Sequence, residues 1–160
     1  MSEDISTQTI VLVDDEEMVL TSISSLISLE TDYVCKTFLS TTEALDFIRS
    51  QEVNLVVSDY LMPEMDGITF LAKVRESNPE IPRILLTGYA DKENAIKAIN
   101  EVGLFQYIEK PWDNNDLLLI FRNGLEKSLL MKKLQAKIDQ INKAYGDLDS
   151  LHREIVKTFV

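Results

Sequence analysis

The sequence predicts an α/β fold in which a parallel β-sheet carries helices on both faces. Three observations point there. Five short apolar runs alternate with five stretches of helical apolar spacing, the order of a parallel sheet built by helical crossovers. The runs are too short for helices and suit strands buried on both sides. Pro63, Gly67, Pro79, Pro82, Gly88, Gly103 and Pro111 all fall between elements, where turn chemistry belongs.

In order, Ile10 to Val13 is a continuous apolar run and reads as the first strand, and Met18 to Leu29 has helical spacing. Tyr33 to Phe38 reads as a strand and Thr42 to Arg49 as a helix. Leu55 to Val57 forms the third strand, and Ile68 to Val74 opens the third helix. Ile84 to Leu86, Asn94 to Val102 and Phe105 to Ile108 give strand, helix and strand, and a last helix starts near Asn115 or Asp116.

Composition narrows the class. With 45% hydrophobic and 27% charged residues, the 160-residue chain is globular and large enough for one full core with an appended element. No apolar run is long enough to span a membrane, and Met1 to Gln8 lacks a signal pattern. The lone Cys35 excludes an intramolecular disulfide, fits a reducing cytoplasm and reads as a core thiol. Net charge is −11 and unevenly spread: residues 1–115 hold 8 Lys and Arg against 21 Asp and Glu, residues 116–160 hold 8 against 6. So acidic a first part argues against direct nucleic-acid binding, which needs clustered Lys and Arg.

Four of the five strands run into polar residues. The first reaches Asp14-Asp15, the third Asp59, the fourth Thr87 and the fifth Lys110. In a parallel sheet all strand C-termini share one edge, so three carboxylates, a hydroxyl and an ammonium should converge. Crowded carboxylates repel unless a cation lies between them or their pKa values rise. Oxygen ligands with room for water suit Mg²⁺, or Mn²⁺. A carboxylate beside such an ion can attack a phosphoryl group, with Lys110 and Thr87 serving its other oxygens.

Each residue also has a plainer reading. Asp14 to Glu17 suits a helix N-terminus, Thr87 a turn, Lys110 the solvated surface, and Tyr107 a half-buried strand position. Trp112 reads as packing behind Pro111, and His152 as a seam or surface residue. The joint placement at four strand ends outweighs these separate readings.

Together, Asp14-Asp15, Asp59 with Met62-Pro63 and Asp66-Gly67, Thr87-Gly88 and Lys110-Pro111 resemble the signature of bacterial response-regulator receiver domains. The match covers roughly residues 8–126, and the ordered set is specific although each piece alone is weak. The resemblance implies a flavodoxin-like (βα)5 doubly wound sheet of order 2-1-3-4-5. It implies phosphorylation of Asp59 by a sensor histidine kinase or phosphotransfer protein. Asp15, Asp59 and the Leu61 main-chain carbonyl would hold the metal, with Asp14 acting through water. Thr87 and Tyr107 would be the switch pair, and Lys110-Pro111 a cis peptide. Signalling would pass through the face of the fourth helix, fifth strand and fifth helix. Bulky Leu61 and Tyr89 flank the path of attacking water, so a long-lived phosphoryl state is expected.

The rival reading is a haloacid-dehalogenase-like phosphatase, which carries D-x-D after its first strand. Here that position is Asp14-Asp15-Glu16, without the second aspartate.

The expected organisation is a flexible N-terminus over 1–8, a receiver over 9–126 and a helical coiled-coil linker over 127–160. Met131, Leu134, Ile138, Ile141, Tyr145, Leu148 and Ile155 alternate three and four apart, with His152 in the missing slot. This seam predicts a parallel homodimer, although Gly146 costs about 1 kcal/mol against alanine within a helix. The apolar ending Ile155 to Val160 predicts continuation into an output domain. Leu151 to Val160 is similar to the lead-in of receiver-linked HD-GYP phosphodiesterases, and diguanylate cyclases use comparable linkers. The alternative is a stand-alone receiver.

Overall fold

The computed structural model describes residues 8–159, without the side chains of Tyr89, Thr158 and Phe159. The chain divides into two compact units, Met1–Ser128 and Leu129–Val160.

The chain alternates strands β1 (Thr9–Val13), β2 (Val34–Phe38), β3 (Leu55–Asp59), β4 (Arg83–Thr87) and β5 (Gln106–Glu109) with helices. The helices are α1 (Glu17–Glu30), α2 (Thr41–Ser50), α3 (Gly67–Ser77), α4 (Lys92–Glu101) and α5 (Asn114–Phe159). All four strand pairings are parallel, in the order β2-β1-β3-β4-β5. This is the expected doubly wound arrangement.

Strand alternation deals residues to two cores. Val11, Val13, Val56 and Leu85 meet α2, α3 and α4 through Leu45, Ile48, Phe70, Leu71, Val74 and Ala95. Ile10, Leu12, Leu55, Val57, Ile84 and Leu86 meet α1 and α5 through Leu20, Ile23, Ile27, Leu117, Phe121 and Leu125. Because both faces are covered, β1, β3 and β4 each hold a continuous apolar run. Strand β2 lies at the edge and is only partly covered.

Side chains stop the helices from fraying. Ser40 accepts the Glu43 N–H at 3.4 Å and Asp66 the Thr69 N–H at 2.7 Å. Asp113 accepts from the N–H groups of Asn115 and Asp116 at 2.9 and 3.1 Å, starting α5. Helix α4 begins after a 3₁₀ turn over Tyr89–Asp91, and Asp91 makes no side-chain cap.

Three expectations are corrected. Gln8, placed in a flexible tail, is buried, and its Nε2 donates to the Leu125 carbonyl at 3.0 Å. A polar side chain reads as tail until its partner appears. Residues 1–7 of that tail lie outside the described residues. Cys35 is half-buried rather than core, because β2 is an edge strand. Strands β3 and β4 extend through Asp59 and Thr87 themselves, since backbone pairing carries on past the last apolar residue.

Among the described residues, no helix is long and apolar enough to cross a membrane.

Candidate functional site

Sheet register assembles the site. Val13 pairs with Ser58, so Asp14 follows level with Asp59. Asp59 pairs with Leu86, putting Thr87 one step beyond it on β4. Thr87 pairs with Glu109, and the Lys110 N–H donates to the Thr87 carbonyl at 2.8 Å. Residues 96 positions apart in sequence thus meet at one sheet edge, as open α/β folds arrange.

Carboxylate oxygens of Asp14, Asp15 and Asp59 lie within 4.8 Å of one another. Asp14 and Asp59 are buried and Asp15 is exposed. Lys110 Nζ stands 2.7 Å from Asp59 Oδ1 and 3.6 Å from Asp14 Oδ2. Asp14 Oδ1 accepts the Glu16 N–H at 2.8 Å, while its Oδ2 is buried without a hydrogen-bond donor. The helix-start reading of Asp14 is therefore also true: one oxygen shapes the turn into α1, the other faces the cluster's charge.

The electrostatics follow from this crowding. Burial pushes the Asp14 carboxyl up to about 6, against the pull of the Glu16 N–H and with the help of Asp59. Burial likewise raises Asp59, partly offset by the hydrogen bond and charge of Lys110. For Lys110, burial works downward, but the bond to Asp59 and the charges of Asp59 and Asp14 carry it above its ordinary value. Three carboxylates against one ammonium leave about two negative charges uncompensated when all are ionised. A divalent cation is the matching counter-charge, and the donorless Asp14 Oδ2 leaves a lone pair for the ion or its water. The residues fit such an ion.

The loop after β3 is fixed closely. The Tyr60 N–H donates to the Leu86 carbonyl at 2.9 Å, and the Gly67 N–H to the Tyr60 carbonyl at 2.7 Å. A Cβ on Gly67 would stand 2.1 Å from the Asp59 carbonyl oxygen, so only glycine allows this closure. Leu61 rides on the loop with its side chain 62% exposed.

Other expected residues stand further from the chemistry. Thr87 is wholly buried, and its hydroxyl donates to the Gly88 carbonyl at 3.2 Å rather than to the carboxylates. Tyr107 is half-buried against the α2–α4 core. The Lys110-Pro111 bond is cis. Trp112 packs against the α1–α5 core, and His152 is exposed. The side chain of Tyr89 lies outside the described residues.

Sequence reasoning missed Arg83. Its buried guanidinium donates to the carbonyls of Ile81 at 3.1 Å and Gly103 at 2.8 Å, tying the start of β4 to the end of α4. It missed Glu109 too, whose Oε1 is buried without a partner. An arginine wedged between Pro82 and the apolar run Ile84 to Leu86 was the available signal for the first.

Known proteins show the same pattern. The chain is 36% identical over 118 residues to the hydrogenase transcriptional regulatory protein HoxA of Cupriavidus necator, covering 74% of this chain and 24% of that one. It thus spans about a quarter of that regulator's length. The signal receiver domain of an HD domain-containing protein from Pseudomonas fluorescens Pf-5 is 40% identical, with TM-score 0.71, over 76% of this chain and 97% of that one. The beryllofluoride-activated NtrC4 receiver domain dimer is 30% identical, with TM-score 0.70, over 75% and 98%. Residues 10–122, well over half of the sequence, match the response regulator receiver domain. By that match and the fold it shares, this chain belongs to the response regulator receiver domain family.

Proposed function

We propose that this receiver takes a phosphoryl group on Asp59 from a phosphohistidine of a sensor kinase or phosphotransfer protein, and that the acyl phosphate switches the face of α4, β5 and α5. The supporting observation is the convergence of Asp14, Asp15 and Asp59 within 4.8 Å, with Lys110 at 2.7 Å from Asp59. An Asp59 carboxylate oxygen attacks phosphorus, the phosphorus–nitrogen bond breaks, and the electron pair leaves with the imidazole, which takes up a proton. Lys110, already on Asp59, passes its charge to a phosphoryl oxygen. Asp14, Asp15, Asp59 and the Leu61 carbonyl would hold Mg²⁺ or Mn²⁺. The ion supplies charge neutralisation for the phosphoryl oxygens. The Thr87 hydroxyl must leave the Gly88 carbonyl to reach another oxygen, and Tyr107 would turn inward behind it.

Intact-mass spectrometry after incubation with acetyl phosphate and Mg²⁺ tests this. We expect a gain of one phosphoryl group in wild type, absent in Asp59→Asn and absent with a chelator. A gain retained by Asp59→Asn but lost in Asp14→Asn would favour the phosphatase reading instead.

Leu61 and Tyr89 carry neither a carboxylate nor an amide to orient water. A Leu61→Asn, Tyr89→Glu double variant should lose its phosphoryl group faster than wild type; equal decay of the mass-shifted species would refute the long lifetime.

In the second unit, the seam residues Met131, Leu134, Ile138, Ile141, Tyr145, Leu148 and Ile155 are between 38% and 68% exposed. Their heptad spacing is the geometry by which helices pair, so we place a homodimer there. The similar beryllofluoride-activated NtrC4 receiver domain forms a dimer, which supports this reading. The likeness of this chain to the signal receiver domain of an HD domain-containing protein favours an output of HD type. The inert thiol of Cys35, pushed up to about 12 by burial, suits the cytoplasm.

A further inference from the structure

We infer that His152 fixes the pairing of two copies of this chain as parallel and in register, and makes that pairing weaken on acidification. The inference rests on the homodimer proposed above.

Four residues past Leu148 and three before Ile155, His152 continues the alternation and occupies an a position of the heptad. It is exposed in the single chain, on a helix unbroken from Asn114 to Phe159. In a parallel in-register pair, a positions face each other, so His152 meets the partner's His152. Two neutral imidazoles can share one hydrogen bond, one donating N–H and the other accepting on its bare nitrogen. An antiparallel pair would instead set each imidazole against an apolar seam residue, so that neither ring finds a partner and both N–H groups lack an acceptor across the seam. Parallel pairing also sets no like charges across the flanking e and g positions. Lys137 faces Asn142, Ala144 faces Asp149, and Leu151 faces Val156.

The surroundings make the layer sensitive to protons. Leu148 and Ile155 lie above and below it, and Leu151 and Val156 flank it. The charged groups within a turn are Asp149, Arg153 and Glu154. Asp149 Oδ2 is held by Arg153 at 2.8 Å, and Arg153 and Glu154 take outward heptad positions. Imidazole is the side chain that gains charge between about pH 8 and 5. Protonating both rings removes the acceptor and puts two like charges between apolar walls.

Sedimentation equilibrium of the full chain at pH 7.5 and 5.5, for wild type and His152→Leu, tests the inference. The wild-type dimer dissociation constant should rise at least tenfold at pH 5.5, while His152→Leu should dimerise more tightly and equally at both. A wild-type constant unchanged with pH, or a rise that His152→Leu shares, overturns the role of His152. Monomers of both proteins at pH 7.5 would overturn the dimer reading itself. For register, Leu148→Cys in a Cys35→Ser background should form a disulfide-linked dimer on oxidation. A protein that sediments as a dimer yet does not cross-link overturns parallel pairing.

Discussion

Asp14 is asked to do two things with one carboxylate, and the conflict is measurable. One oxygen accepts the Glu16 N–H and the other is buried beside Asp59 and Lys110. Burial first, and the nearby Asp59 charge after it, raise the carboxyl from 3.8 to about 6. Between those values the folded state binds more protons than the unfolded chain, so stability falls as pH rises through the window. At pH 7.5 the full penalty is present, on the order of 2–3 kcal/mol. Metal-free Asp14→Asn keeps an oxygen for the Glu16 N–H and removes the charge. In urea unfolding it should therefore be more stable than wild type at pH 7.5 by that order. The two should converge at about pH 4, and Mg²⁺ should narrow the gap at pH 7.5 by stabilising wild type. Equal stability at both pH values would mean the cluster is not strained.

At the scale of elements, what the sequence revealed depended on whether the informative atoms were side chains or backbone. Apolar runs located β1, β3 and β4 because those strands are buried on both faces, and polar residues at their ends located the site. The same logic blurred the ends. Asp59 and Thr87 are strand residues by backbone pairing, yet hydropathy ends each run before them. Strand β2 was legible by its β-branched and aromatic residues, but nothing in them marked it as an edge strand, where Cys35 is only half-buried. The 3₁₀ turn before α4 was not distinguishable from a plain loop, because Gly88 and Asp91 mark a turn without specifying its type. Arg83 and Gln8 were opaque for another reason. Each is a polar side chain with a main-chain carbonyl partner far along the sequence, at Gly103 and Leu125. Such pairings follow only from the finished fold. The convergence of four carboxylate and ammonium groups was readable; the hydroxyl of Thr87, turned to its neighbour's carbonyl, was not.

For the molecule as a whole, the distribution of burial separates the two units energetically. Both hydrophobic cores draw their residues from positions up to Leu125, and Ser128 is the last buried residue. From Leu130 to Lys157 every described side chain is exposed. The receiver should therefore not depend on the seam for stability. A chain ending at Lys133 keeps the turn that covers Leu125, whose carbonyl also accepts from Gln8. Removing residues 134–160 deletes heptad residues whose described side chains are all exposed. Its thermal midpoint in the dilute, monomeric protein should stay within about 2 °C of the full chain, a change of a few tenths of a kcal/mol. Labelling by acetyl phosphate should be unchanged and self-association abolished. A midpoint lowered by roughly 10 °C would instead mean that the exposed stripe stabilises the receiver. Signalling through the seam would then have to act on the stability of the whole, and not through pairing alone.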